Sequence, residues 1–156
     1  MLALIKNYSR YLLFGGVHSF FSGLGQTYLL AFFIIFFLED FGCSNTEIGL
    51  LSMYMSLASA CSLPYFGALL DRVPLKTYSF CVGVVLCCGA LLVSVAENMY
   101  VLFAGLYLMR LSSHGLLVHI TDVSISRFFT NNRGKALALA GIGASLGEAF
   151  LPLIVG

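Results

Sequence analysis

Hydrophobic residues in this chain come in long unbroken runs rather than in alternating or one-sided patterns. Five runs, 11–38, 48–70, 77–96, 99–121 and 136–156, meet the roughly 20 mainly apolar residues that an α-helix needs to cross a bilayer. None shows the two-residue alternation of a barrel strand. The spanning form is therefore a helix, whose backbone groups are satisfied inside each segment. The first run is longer than a crossing requires and predicts a tilted or extended helix. The links are short, at 39–47, 71–76, 97–98 and 122–135, so consecutive helices should be antiparallel neighbours. The longest link carries Arg127, Phe128, Phe129, Arg133 and Lys135. That mix of rings and cations suits a segment lying at the headgroups.

Charge gives the orientation. Lys6 and Arg10 precede the first run, Arg72 and Lys76 sit between the second and third, and Arg127, Arg133 and Lys135 between the fourth and fifth. All fall on one side. The opposite links hold Glu39, Asp40, Glu47 and Glu97 and no Lys or Arg. The positive-inside rule then puts the N-terminus in the cytoplasm and Gly156 at the outer face. Met1 to Arg10 could mimic the start of a signal peptide, but the following run far exceeds a signal core of about 7–15 residues. The chain stops at the edge of an apolar run, with an odd number of helices and no polar tail. It reads as the N-terminal part of something longer.

Composition narrows the class. The chain is 60% hydrophobic and 10% charged, against about 25% charged in soluble domains. Its mean hydropathy of +0.97 leaves no room for a separate soluble domain. A net charge of +1 points to no nucleic-acid partner. Cys61, Cys81, Cys87 and Cys88 fall inside apolar runs and Cys43 in a link, without metal-ligand spacing, so they read as small buried hydrophobes. No nucleophile elbow, phosphate-binding loop or paired catalytic carboxylates occur. The expectation is therefore no enzyme, no cofactor and no metal.

Between the second and third runs stands GALLDRVPLK, Gly67 to Lys76. It resembles the cytoplasmic loop signature of the major facilitator superfamily: Gly, three residues, Asp-Arg, one residue, Gly, then two basic residues. Gly67, Asp71, Arg72 and Lys76 match; Pro74 replaces the glycine and Leu75 the first basic residue. Asp71 sits where a helix ends, within reach of cations such as Arg127. Such a cluster can latch one set of helix ends and release them in another conformation. Met109 to Pro152 is similar to helices four and five of a bacterial branch of the superfamily, through Arg110, Gly115, Arg127-Phe128 and Arg133-Gly134-Lys135-Ala136. Gly25-Gln26-Thr27 of helix one fits that branch too. The resemblance implies an all-α membrane protein, a partial N-terminal six-helix half in a single domain over 1–156. It also implies a bacterial inner membrane, and a missing C-terminal half of six more helices.

Ionisable groups at membrane depth are functional candidates. Arg110 lies midway along the fourth run and Glu148 midway along the fifth. An Arg110–Glu148 pair is the simplest proposal, and a salt bridge that only fixes the bundle the plainer one. Gly15, Ser19, Ser22 and Gln26 share a helical stripe, as do Gly141, Ser145, Glu148 and Pro152. The small residues suit helix packing; Gln26 suits a site. Arg110, His114 and Thr121 share a face of the fourth helix, and the resemblance places helices one and four around a central cavity. Gly143 and Gly147 form a GxxxG suited to close packing. His18 and His119 read as hydrogen-bonded packing residues.

The functional expectation is secondary active transport of a small solute, a symporter or antiporter working by alternating access. The solute would be an organic anion held by Arg110 and oriented by Gln26, with His114 nearby and a coupling proton on Glu148. The alternative is a truncated membrane protein with no transport of its own, present only as an interaction partner or inactive fragment.

Overall fold

The computed structural model describes the backbone of residues 2–130 and 132–155 and the side chains of 8–130 and 132–154. Gly156, expected at the outer face, lies outside the described residues, as does the side chain of Lys6. Five helices are long and apolar enough to cross a membrane: α1 Tyr8–Phe41, α2 Asn45–Leu69, α3 Leu75–Ser94, α4 Met99–Phe128 and α5 Arg133–Ile154. There is no strand among the described residues. A helical stretch from Leu2 leads into α1 across a kink at Tyr8 (φ −129°, ψ 25°).

Local chemistry sets the ends. Gly42 closes α1 in the left-handed conformation (φ 61°), which glycine adopts without steric cost. Ser44 and Glu47 then form a reciprocal capping box at the start of α2: the Ser44 amide donates to Glu47 Oε2 (2.7 Å) and the Glu47 amide to Ser44 Oγ (3.3 Å). Pro74 (φ −55°) turns the chain into α3. Asn98 Oδ1 accepts from the amides of Tyr100 (3.1 Å) and Val101 (3.0 Å) at the start of α4. The fourth helix continues past residue 121 to Phe128, so part of the expected link is helical.

Contacts fix the helix directions. Gly15, Gly16 and Phe20 of α1 meet Ala140, Gly143 and Gly147 of α5 in ascending order, so these two run parallel. Thr121 of α4 donates to the Gly15 carbonyl (3.2 Å), and Gly25 lies against Met109, so α1 and α4 run antiparallel. Gly67 of α2 lies by His119 and Leu63 by Gly115, which makes α2 and α4 parallel. Gly89 of α3 abuts Gly105 of α4, backbone on backbone. Such approaches are how membrane helices gain packing when no hydrophobic force drives them together. The α1–α5 seam is the most extensive helix contact. Gly143 and Gly147 carry it, against the carbonyls of Gly16 and Phe20.

Three buried clusters fill the bundle. One joins α3 and α4 through Tyr78, Val82, Leu86, Leu111 and Ile120. The second joins α1, α2 and α4 through Leu30, Phe37, Met55 and Leu102. The third joins the shared ends of α4 and α5 through Ile125, Ala136 and Ala140. Large apolar side chains such as Phe32, Ile35, Phe36, Leu57, Phe80 and Leu153 point outward. In lipid that exposure carries no penalty, because acyl chains are as apolar as leucine. Polar ties between helices are few. The Tyr107 hydroxyl of α4 donates to Ser62 of α2 (2.7 Å), whose own proton goes to the Ala58 carbonyl (2.8 Å). The Tyr78 hydroxyl donates to the Phe66 carbonyl (2.7 Å).

Candidate functional site

The first apolar run reads as one continuous helix, and the structure corrects this. Helix α1 tightens into a 3₁₀ turn at Ser22–Gly25 and opens at Gln26, which is extended (φ −77°, ψ 149°). The sequence there is Ser-Gly-Leu-Gly. Each glycine weakens a helix by about 1 kcal/mol relative to alanine. Ser22 Oγ donates to the Ser19 carbonyl (2.6 Å), a local bond that competes with regular helix. The helix restarts at Thr27, with the Leu30 amide on the Gln26 carbonyl (3.2 Å).

Directly opposite, α4 is irregular as well. Arg110–Leu117 is wound as a π-helix, a form that recurs at functional sites. The buried hydroxyls of Ser112 and Ser113 donate to the carbonyls of Leu108 (2.6 Å) and Met109 (2.5 Å). A Cβ on Gly25 would run into Ser113 Oγ and the Met109 carbonyl, so only glycine lets the two irregular segments touch.

Arg110 ties them together. Its Nη1 donates to the Gly25 carbonyl (3.3 Å) and to Thr27 Oγ1 (3.1 Å), both at the α1 break. The Arg110–Glu148 pair does not form. Among the described residues the single ion pair is Arg127 with Asp71. The physical reason is local: Gln26 leaves the helical path, and the carbonyl set loose at Gly25 meets the guanidinium. Glu148 is exposed on α5, one turn before Leu151, which packs on Gly23. The Tyr28 hydroxyl also lies over Gly23, buried and without a hydrogen-bond partner among the described residues, within electrostatic range of Glu148. Gln26 is half-buried at the break, and His114 is exposed on α4 within electrostatic range of Arg110.

The structure therefore brings Gln26 and Arg110 to one crossing, with His114 one π-turn along α4, and leaves Glu148 on a neighbouring helix. Thr121, expected on the face of Arg110 and His114, is instead buried against α1. A π-turn shifts the phase of all that follows it. Gly15, Ser19 and Ser22 are buried packing residues, whereas Gly141, Ser145 and Glu148 lie exposed on α5. The His18 Nδ1 proton is held by the Phe14 carbonyl (2.8 Å), since a carbonyl can only accept. Thr27 and Ser113 enter the site without having been singled out by role.

At one end of the bundle, Arg127 Nη2 meets Asp71 Oδ1 at 2.5 Å, joining the ends of α2 and α4. Both side chains are largely exposed, at 55% and 71%. Gly67 is buried and seats the His119 ring, so its lack of a side chain serves helix packing. Arg72 and Lys76 are exposed.

Two mutually bonded irregular helices at the heart of an outward-apolar bundle define a polytopic helical membrane protein with a polar crossing at depth. Over residues 16–156 the chain matches the model of the Major Facilitator Superfamily, and it belongs to that family. No curated protein and no solved structure matches it. Members of the family are transporters that move small solutes across membranes, so the chain is an integral membrane protein of a transport family.

Proposed function

We propose that this chain supplies the N-terminal helices of a secondary active transporter that carries a small organic anion. It works by alternating access, together with a C-terminal half. The observation that carries this reading is Arg110. Its cation sits at membrane depth against neutral acceptors alone, Gly25 O and Thr27 Oγ1. An unneutralised guanidinium in a low-dielectric setting favours an anionic ligand, and its fork suits a carboxylate or phosphate. Gln26, freed from helical geometry, orients the ligand, and His114 lies beside the same cation. Glu148 exchanges a coupling proton near the unpartnered Tyr28 hydroxyl. The Asp71–Arg127 pair, with Gly67, Arg72 and Lys76 around it, is the latch that opens as the helix ends part. The N-terminus faces the cytoplasm of a bacterial inner membrane, by the distribution of cations.

The test is uptake by the complete transporter in membrane vesicles. Arg110→Ala abolishes uptake while leaving membrane insertion intact. Arg110→Lys keeps the charge but not the planar guanidinium that can pair two-pronged with an anion, and recovers little. Normal uptake by Arg110→Ala sinks the assignment. Flux through this chain alone in liposomes would overturn the rival reading, an inactive fragment.

A further inference from the structure

A second site, mostly apolar and edged by a cation, lies at the cation-rich end of the bundle, away from the Arg110 crossing. A cavity of about 300 Å³ opens between the first turns of α1, the start of α3 and the last turns of α4. Its walls include Phe14, Leu75 and the mutually tilted rings of Tyr11 and Phe128, whose planes meet at 31°. Arg10 and Ser124 also line it, and the Ser124 hydroxyl donates to the Thr121 carbonyl and keeps its lone pairs. Arg10 is exposed and makes no ion pair among the described residues. Arg72 and Lys76 stand at the same end, also without ion pairs, while Arg127 is taken by Asp71. Asp122 is the other carboxylate at this end.

We infer that this cavity is a binding site for an anionic phospholipid. Arg10 takes the headgroup phosphate, and the Tyr11–Phe128 wall and Phe14 take the first part of an acyl chain. Charge and position argue for that occupant. The site lies between helices at a predominantly basic end of the bundle, and basic pockets between membrane helices are where anionic headgroups settle. Ring side chains at the headgroup level hold such an interface in place. A free phosphate would use Arg10 but leave the apolar walls unfilled. The inference is independent of which solute is carried and does not rest on the transport reading.

The experiment is native mass spectrometry of the purified chain in mild detergent. It is titrated with phosphatidylglycerol or with phosphatidylcholine of the same acyl chains, and the apparent Kd of the first bound lipid is read. The wild type is expected to prefer phosphatidylglycerol. Arg10→Gln weakens that lipid by roughly fivefold, the weight of one basic residue near an anionic surface, and leaves phosphatidylcholine unchanged. Arg10→Lys keeps the preference, and so does Arg133→Gln, a cation outside the cavity. Phe128→Ala weakens both lipids and keeps the preference, so a failure of Arg10→Gln to fold leaves the test standing. Equal wild-type affinity for the two lipids overturns the site, and so does an equal loss in Arg133→Gln. Full displacement of the lipid by millimolar inorganic phosphate turns it into a plain anion site and overturns the lipid assignment.

Discussion

Gly147→Ala tests whether the seam between α1 and α5 is built from backbone contact. A Cβ at residue 147 would lie 2.6 Å from the Phe20 carbonyl oxygen and 3.4 Å from its carbon. Ordinary C···O contacts are about 3.3–3.6 Å, so the helices must part by roughly 0.7–1 Å. A carbonyl in the middle of a helix cannot swing aside as a side chain would. A gap of that size forfeits about a quarter to a half of each atom-pair attraction, itself about 0.1–0.2 kcal/mol. Over a few tens of pairs along the seam, the loss is about 1–3 kcal/mol, the range found for overpacked cores. Alanine also favours the helix over glycine by up to about 1 kcal/mol, which would mask part of the loss. Gly141 supplies the control, because a Cβ there meets nothing within 4 Å. The readout is the difference between Gly147→Ala and Gly141→Ala in reversible SDS unfolding in mixed micelles, followed by far-ultraviolet circular dichroism. The propensity gain cancels in that difference, leaving Gly147→Ala less stable by about 1–3 kcal/mol. Gly143→Ala should behave like Gly147→Ala, and the double variant should lose less than their sum, since one separation serves both. Equal shifts for 141 and 147 would refute the reasoning.

The remaining predictions use other parts of the bundle. Asp71→Asn and Arg127→Gln should each change stability little, with a double-mutant coupling below about 1 kcal/mol that fades in 1 M salt, because both side chains are mostly exposed; a larger, salt-resistant coupling would mean the pair is buried. Tyr107→Phe and Ser62→Ala should show a coupling of about 0.6 kcal/mol and no more than about 1.7 kcal/mol, typical of hydrogen bonds between membrane helices, measured by the same unfolding cycle; zero coupling would remove this tie between α2 and α4. A membrane-impermeant maleimide added to intact cells should label Cys43, in the link between α1 and α2. Labelling that appears only after the membrane is permeabilised would invert the proposed orientation.

The helices were legible because bilayer thickness imposes one simple rule, a long apolar run, and every spanning element obeys it. Gly143-xxx-Gly147 suited a close approach, but that spacing is common by chance in apolar helices, and nothing in the sequence named α1 as its partner. What the sequence hid were departures from regular helix. Ser22-Gly23-Leu24-Gly25 is apolar enough to sit inside a hydropathy run, and a hydropathy count is blind to the phase of the backbone. In hindsight the paired glycines beside a serine were a signal of a break. The π-turn of α4 left a weaker trace: Ser112 and Ser113 bond their own backbone, as serines do in many regular helices. Without that turn, stepping along the helix put Arg110, His114 and Thr121 on one face. With it, Thr121 goes to the Gly15 carbonyl and leaves the other two behind. The Arg110–Glu148 pair failed for a related reason. Pairing two charges by depth assumes that no other acceptor is near, and a broken helix creates one.

The two irregularities are better understood as one structure than as two. A break in α1 strands the Gly25 carbonyl in a medium where an unmet polar group costs several kcal/mol. An arginine at depth carries a cost of its own, smaller when it finds carbonyl partners. Each defect relieves the other through the Arg110 bond to Gly25. The π-turn that begins at Arg110 accompanies the contact, and glycine at 25 admits the backbone. An anion that bound Arg110 more strongly than a neutral carbonyl does would release Gly25 and Thr27 together. The break would then have to re-form as helix or find water. On the proposed reading, ligand binding at this crossing would be linked to the shape of α1, the helix that also carries the seam with α5. That is the form of connection that alternating access requires between an occupied site and the movement of a helix.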